Sequence, residues 1–133
     1  MRLIVRNLGL TDYVPVWEAM RGLTDSRKKN TLDEIWVTQH KPVFTQGQSG
    51  RPENIINPGD IPVVLSDRGG QVTYHGPGQL VAYPILDLKP DRKDLHRYLR
   101  DLESVLIDGA SSFGIQGRRS EGQTGVWTEL GKL

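Results

Sequence analysis

The sequence predicts an α+β fold, a mixed or antiparallel sheet with packed helices. Three observations carry this. The elements read β-α-β-β-β-β-α-β, with strands in runs instead of the strict alternation with helices that a doubly wound parallel sheet requires. Two segments repeat apolar residues at the helical period. The other apolar runs are short, rich in β-branched residues and bounded by Gly or Pro.

In chain order, Arg2–Leu8 reads as a strand that Gly9 breaks. Thr11 or Asp12 can cap the first helix, whose Tyr13, Val16, Trp17, Met20 and Leu23 share one face. The polar, basic stretch Ser26–Asn30 ends it. Leu32–Gln39 holds Ile35, Trp36 and Val37 and reads as a strand, and Pro42 and Gly47 bound a second extended segment, Val43–Thr45. Residues 48–60 are dense in Gly, Pro and Asn and form a loop. Pro62–Ser66 is a strand feeding a glycine-rich block, and Gln79–Leu88 is the longest strand candidate. Asp91 or Asp94 starts the second helix, with Leu95, Tyr98, Leu99, Leu102, Val105 and Leu106 on one face and a stop near Gly109 or Gly114. Gly125–Thr128 reads as the last strand. Residues 1–133 are expected to form a single domain, and the stop at Leu133, directly after a strand, is expected to mark a portion of a longer protein.

A chain of 133 residues can bury one core, and 36% apolar with 25% charged residues is ordinary for a soluble globular domain. A net charge of +1 gives no broad attraction to nucleic acid or to a membrane surface. No apolar run approaches the roughly 20 residues that span a bilayer. Arg2 and Arg6 make the N-terminus unlike a secretory signal, so a cytoplasmic location is expected. The chain has no cysteine, which excludes disulfides, thiolate metal sites and a cysteine nucleophile within these residues. There is no Gly-x-x-x-x-Gly-Lys-Ser/Thr phosphate loop, no His-Glu-x-x-His zinc helix and no Gly-x-Ser-x-Gly elbow. Ser26–Lys29 matches Ser-x-x-Lys by spacing alone, on a charged helix end that reads as a solvated face. Neither a metal nor a cofactor is expected.

Residues 68–84, Arg-Gly-Gly-Gln-Val-Thr-Tyr-His-Gly-Pro-Gly-Gln-Leu-Val-Ala-Tyr-Pro, set bare backbone beside hydrogen-bonding side chains. Glycine allows close approach to a ligand or a positive φ, so the block reads as the wall of a binding site. Arg68 can grip a carboxylate or phosphate, or tie Asp67 or a nearby carbonyl. Gly69 and Gly70 can offer N–H groups to an oxyanion or simply form a tight turn. Thr73 and Tyr74 cannot both face one pocket if the segment is extended. His75 either lines a ligand or fixes the Gly76-Pro77-Gly78 turn. Either the Val81, Tyr83 and Ile85 face or the Leu80, Ala82 and Pro84 face can be core. His40, at a strand end, reads as a structural hydrogen-bonding residue, and His96 as an exposed one. Lys132, beside Leu130 and Leu133, reads from spacing as exposed, although a lysine among apolar neighbours can be tuned for catalysis.

The pattern Arg68-Gly69-Gly70-x-x-Thr73-Tyr74-His75-x-x-Gly78-Gln79-x-Val81-x-Tyr83-Pro84 resembles the signature of the lipoyl(octanoyl) transferases without a departure. Thr31–Trp36, Pro42–Gly47, Pro58–Val64, Gly125–Trp127 and Lys132 extend the resemblance over essentially the whole chain. It implies a fold similar to the catalytic domains of biotin protein ligase and lipoate–protein ligase. It implies transfer of an octanoyl group from octanoyl-acyl carrier protein to a lysine of lipoyl domains, those of 2-oxoacid dehydrogenases and of the glycine cleavage system. It implies that Arg68, Gly69, Gly70, Gln71, Val72, Thr73, Tyr74 and His75 line the acyl pocket. Lys132 is then the lysine that lowers the pKa of a cysteine thiol. The family's nucleophile is a cysteine that this chain lacks, so it is expected to lie outside these residues, leaving this portion unable to form the acyl-enzyme.

Two rival readings follow from the same residues. An ATP-dependent lipoate or biotin ligase of this fold needs no cysteine, but the octanoyltransferase signature is unbroken and no glycine-rich basic loop of the biotin ligase type occurs. A non-catalytic module would hold the acyl chain or a lipoyl domain and do nothing else.

Overall fold

The computed structural model describes residues 2–88 and 94–133, in two compact units, Met1–Asp87 and Leu88–Leu133. An α+β arrangement is observed, with two helices and mixed sheets among the described residues.

In the first unit, β2 (Asp33–His40) alternates strictly between buried and half-buried residues, as a strand with one face inward must. β1 (Leu3–Thr11) pairs with it in parallel and β6 (Val81–Ile85) pairs with it antiparallel. The inward face of β2 carries Glu34, Trp36, Thr38 and His40, not the apolar Ile35 and Val37. Burial of such groups is tolerable only when each finds a partner. Glu34 takes Arg6 Nε at 2.6 Å and Nη2 at 2.9 Å, and Trp36 Nε1 at 2.6 Å. These bonds, the one from Arg6 first, hold the Glu34 carboxyl down at about 2.

Gly9 does not break β1, as the sequence had led us to expect. Leu8 is the extra residue of a bulge, with Asn7 opposite Val37 and Gly9 opposite Thr38, and Gly9 takes φ 68° to make it. The strand then continues to Thr11 because the bulge restores its pairing register.

α1 (Tyr13–Ser26) turns the expected face inward. Tyr13 and Val16 are buried, and Trp17, Met20 and Leu23 are half-buried. Asp12 stands at the N-cap without a side-chain cap bond; its carboxylate pairs with Lys41 at 3.0 Å instead.

A second sheet has the order β4-β3-β5. β3 (Val43–Gln46) lies parallel to β4 (Val63–Leu65) and antiparallel to β5 (Val72–His75). β5 lies inside the glycine block, where no separate strand was predicted; its neighbours Gly69–Gly70 and Gly76–Gly78 mask a short strand in a propensity reading. The 48–60 loop contains one 3-10 turn, Pro52–Asn54. β6 is shorter than the predicted Gln79–Leu88, because the chain is still turning at Gln79, whose N–H returns to Gly76 O at 3.2 Å.

In the second unit, α2 (Leu95–Ser112) is capped by Asp94, whose carboxylate accepts the Arg97 N–H at 2.9 Å. Asp91, the alternative start, lies outside the described residues. The helix passes Gly109 and closes at Phe113 and Gly114, the latter at φ 77°. Its predicted apolar face is only partly inward: Tyr98 and Leu102 are half-buried, while Leu95, Leu99, Val105 and Leu106 are exposed. β7 (Arg118–Ser120), β8 (Gln123–Thr128) and β9 (Gly131–Lys132) form an antiparallel sheet. β7 and β9 were not predicted; at three and two residues they are too short to show periodicity. No described helix is long and apolar enough to cross a membrane.

Candidate functional site

The loop Arg68–Gln71 is bound to β3 and its continuation through its carbonyls. Gly47 N–H donates to Gln71 O at 3.1 Å, Gln48 N–H to Arg68 O at 2.9 Å and Ser49 N–H to Gly70 O at 3.1 Å. The Arg68 guanidinium completes the bracing: Nη2 reaches Thr45 O at 2.7 Å, Thr45 Oγ1 at 2.7 Å and Gln71 O at 2.9 Å, and Nη1 reaches Gly69 O at 2.8 Å. Of the options read from sequence, Arg68 takes the carbonyl tie; Asp67 is held by Trp17 Nε1 at 3.0 Å. The loop and β3 touch so closely that a Cβ on Gly47 would stand 2.7 Å from Gly69 O and 2.9 Å from Arg68 Nη1. Gly70 takes φ 84°. With the carbonyls so engaged, no acceptor among the described residues takes the N–H of Gly69 or Gly70. Both glycines are exposed.

The antiparallel register sets the faces of β5. Val43 lies opposite His75, Phe44 opposite Tyr74 and Thr45 opposite Thr73. Paired residues share a face, so Thr45, Thr73 and His75 point to one side. Val72 and Tyr74 point to the other, where Tyr74 packs on Phe44 with centroids 5.3 Å apart. Thr73 and Tyr74 therefore diverge, as alternation requires. Gln71 is exposed and Val72 half-buried. His75 Nδ1 lies 2.5 Å from Gln79 Oε1 and Nε2 3.5 Å from Thr45 Oγ1, so this imidazole does span the Gly76–Gly78 turn. Gly78 N–H is held from the other sheet by Gln39 Oε1 at 2.7 Å.

Around His75 stand aromatic and imidazole rings that lie far apart in the sequence. Tyr13 stacks on His75 at 6.3 Å and 8°, and His40 meets His75 edge-on at 6.0 Å. Tyr13 OH reaches Ser66 Oγ at 3.1 Å, the same oxygen that receives the Arg68 N–H. His40 is fully buried between Tyr83 OH, 2.8 Å from Nε2, and Thr11 Oγ1, 3.2 Å from Nδ1.

The direction of the protons in this chain follows from its end. Thr38 Oγ1 donates to the Gly9 carbonyl at 2.8 Å, so it accepts from Thr11 Oγ1 at 2.7 Å. Thr11 has then spent its proton and accepts from His40 Nδ1–H, which leaves Nε2 to accept from Tyr83 O–H. Burial lowers the His40 pKa and pushes the Tyr83 phenol up to about 12, so both are neutral at pH 7, as this polarity needs. The structural reading of His40 fits these contacts. Thr45, Tyr13 and Tyr83 carried no local sequence signal for their place here, since only the strand register and α1 bring them together.

In the second unit, Lys132 on β9 lies opposite Trp127 on β8, exposed, with its Nζ 5.2 Å from the indole centroid. His96 is exposed as expected and borders a cavity of about 560 Å³ with Arg100, Arg119 and Glu121. No group of three or more metal-ligating side chains gathers among the described residues.

Comparison with known proteins gives the family. The family model described as lipoyl protein ligase A/B catalytic domain matches residues 12–133. The chain belongs to that family. An octanoyltransferase of Xanthomonas campestris pv. campestris (strain B100) is 52% identical over 129 residues, 97% of this chain and 56% of the relative. An octanoyltransferase of Aliivibrio fischeri is 47% identical over 132 residues, 99% of this chain and 59% of the relative. The chain thus spans between half and two thirds of these relatives' length. The lipoyl protein ligase A/B fold is met again in solved structures at low identity. A bipartite lipoate protein ligase of Thermoplasma acidophilum superposes with TM-score 0.68 at 15% identity, over 98% of this chain and 53% of that one. A lipoate-protein ligase A bound with ATP superposes with TM-score 0.65 at 14% identity, over 99% and 58%. These establish the α+β fold expected for the family.

Proposed function

We propose that this chain supplies the acyl-binding and lysine portion of an octanoyltransferase, which moves an octanoyl group from octanoyl-acyl carrier protein to a lysine of lipoyl domains. The observation that carries the reading is the braced loop Arg68–Gln71. Its carbonyls are all engaged, and two N–H donors, Gly69 and Gly70, are left for a ligand oxygen. Such donors suit the carbonyl oxygen of a thioester, on which negative charge develops during acyl transfer. The likeness to octanoyltransferases at about half identity supports the choice of acyl group.

In this reading Arg68 braces the wall and Gly69 and Gly70 hold the carbonyl. Gln71, Thr73 and His75 continue the pocket along one face of β5, and Val72 and Tyr74 back that wall from the other face. The octanoyl chain gains about 0.8 kcal/mol per buried CH₂. A thiolate from outside these residues attacks the carbonyl carbon; the C–S bond to the carrier breaks and the carrier sulfur takes a proton. The lipoyl-domain lysine amine then attacks the enzyme thioester, forming the amide and returning the thiol. Lys132, as an ammonium, favours the thiolate, and as an amine takes up a proton. Residues 1–133 act as one catalytic-type domain. The acceptors are lipoyl domains of 2-oxoacid dehydrogenases and of the glycine cleavage system, and the site of action is the cytoplasm.

The test joins residues 1–133 to the remaining C-terminal portion of the Xanthomonas relative and assays octanoyl transfer to a lipoyl domain. The expected result is ATP-independent transfer that falls at least about 100-fold in Lys132→Ala, the scale of losing an acid–base group. The 133-residue chain alone, incubated with octanoyl-acyl carrier protein, is expected to show no covalent adduct by intact mass. A stable octanoyl adduct on this chain, or acyl-adenylate formation from octanoate and ATP, contradicts the reading.

A further inference from the structure

Lys132 lies in a seat assembled by three other residues. A Cβ placed on Gly125 would stand 2.6 Å from Lys132 Cε and 3.2 Å from its Nζ, so the lysine arm lies across backbone that only glycine leaves bare. Gly125 takes φ 131°, a conformation that side chains disfavour. Trp127 forms the next wall, its ring under the ammonium at 5.2 Å, a cation–π distance. Gly125 lies beyond the β8–β9 ladder, which pairs Trp127 with Lys132 and Thr128 with Gly131. Its N–H is held instead by the carboxylate of Glu103, Oε1 accepting at 2.9 Å. Glu103 is the buried acid of α2, and its other oxygen takes Arg119 Nε at 3.1 Å. Arg119 is fixed in turn by Ser104 Oγ and the Arg100 carbonyl. A buried carboxylate is costly unless fully partnered; here it is partnered by one guanidinium and one strand N–H.

We propose that Glu103 is a positioning residue for Lys132, acting through Gly125, and that Gly125 and Trp127 form the walls that hold the amine in one place. Glu103 does not touch Lys132. It sets the height of β8 against α2, and hence the surface over which the lysine runs. The functional side of the proposal rests on the role given to Lys132 above.

The test reads the seat without activity. In ¹H–¹³C NMR spectra of the 133-residue protein, the Lys132 ε-CH₂ protons are expected upfield of those of Lys28 and Lys29, because they adjoin the ammonium that lies over the Trp127 ring. Gly125→Ala and Glu103→Ala are each expected to return them to the ordinary lysine position. Glu103→Gln, whose amide oxygen still accepts from Gly125 N–H, is expected to retain the upfield shift. The methyls of Val126, buried at the centre of this unit, report whether each variant stays folded; if Glu103→Ala unfolds, Gly125→Ala and Glu103→Gln decide. An unshifted Lys132 in the wild type overturns the seat, as does an upfield shift that survives Glu103→Ala with native Val126 methyls. In the fusion to the Xanthomonas portion, Glu103→Ala is expected to lower kcat with KM for octanoyl-acyl carrier protein unchanged, and Glu103→Gln to rescue it. A seat confirmed by NMR with a kcat unchanged in Glu103→Ala overturns the catalytic effect of Glu103 and leaves the seat standing, whereas the role of Lys132 itself falls only if Lys132→Ala keeps full transfer.

Discussion

The two units differ in how much polar material they bury. In the first, Glu34, Thr38, His40, Thr45 and Gln46 are buried beside Tyr13, Val16, Trp36 and Val43. No buried side-chain polar atom among the described residues lacks a partner. In the second, the buried residues among those described are Val126 and Glu103, while much of α2's apolar face stays exposed. A fully matched polar interior fixes side-chain directions that an apolar interior would leave degenerate. The first unit therefore pre-organises a site through many coupled bonds. The second fixes its lysine through a single carboxylate.

The largest expected effect tests whether the polar interior of the first unit acts as one piece. His40→Ala opens a fully buried space, leaves the Tyr83 O–H without its acceptor and removes the bond that Thr11 Oγ1 accepts. It should cost about 2–4 kcal/mol in urea unfolding. Arg68→Met removes the brace on the Thr45, Gly69 and Gln71 carbonyls and should cost about 1–3 kcal/mol. It should also raise hydrogen exchange at the Gly47, Gln48 and Ser49 amides, which cross to the same loop. Glu103→Gln, in the second unit, loses one ion pair but keeps the Gly125 bond and should cost about 1 kcal/mol. Lys41→Met breaks a pair exposed on both sides and should change stability by less than about 0.5 kcal/mol. A His40 effect no larger than the Glu103 effect would erase the contrast between the units.

Acid should act on the first unit through two buried groups. His40 is held below its ordinary value of 6.5, so the unfolded chain binds its proton more readily; this contribution is complete above about pH 6.5 and is lost as pH falls below it. Glu34 is held at about 2, against 4.5 unfolded; its contribution is complete above about pH 4.5 and is lost as pH falls towards 2. Unfolding free energy measured against pH should therefore fall in two stages. His40→Gln should remove the upper stage and Glu34→Gln the lower one.

Much of this was legible in the sequence. The face of α1 was readable because five apolar residues follow the helical period, and the glycine block because its composition has few folding explanations. Asp94 was readable as one of two candidate caps from the turn chemistry of its side chain. The bulge at Gly9 was not, since a glycine inside a strand signals a break and a bulge alike, and only the parallel partner decides. The inward face of β2 was hidden because the apolar residues Ile35 and Val37 lie on the other face, and burial of Glu34 and His40 depends on partners 28 and 43 residues away. The ring cluster about His75 is a product of topology, with one member each from α1, β2, β5 and β6. The exposure of α2's leucines escaped the helical period, which gives a face and not what covers it.

In the proposed function the Gly69 and Gly70 N–H groups receive the thioester carbonyl of an octanoyl donor. The most direct measurement is titration of the ¹⁵N-labelled 133-residue protein with octanoyl-pantetheine, following backbone amides. Saturable shifts are expected, largest at Gly69 and Gly70 and strongly reduced with the non-hydrolysable thioether that lacks the carbonyl. Shifts centred elsewhere, or equal for the thioester and the thioether, would contradict it.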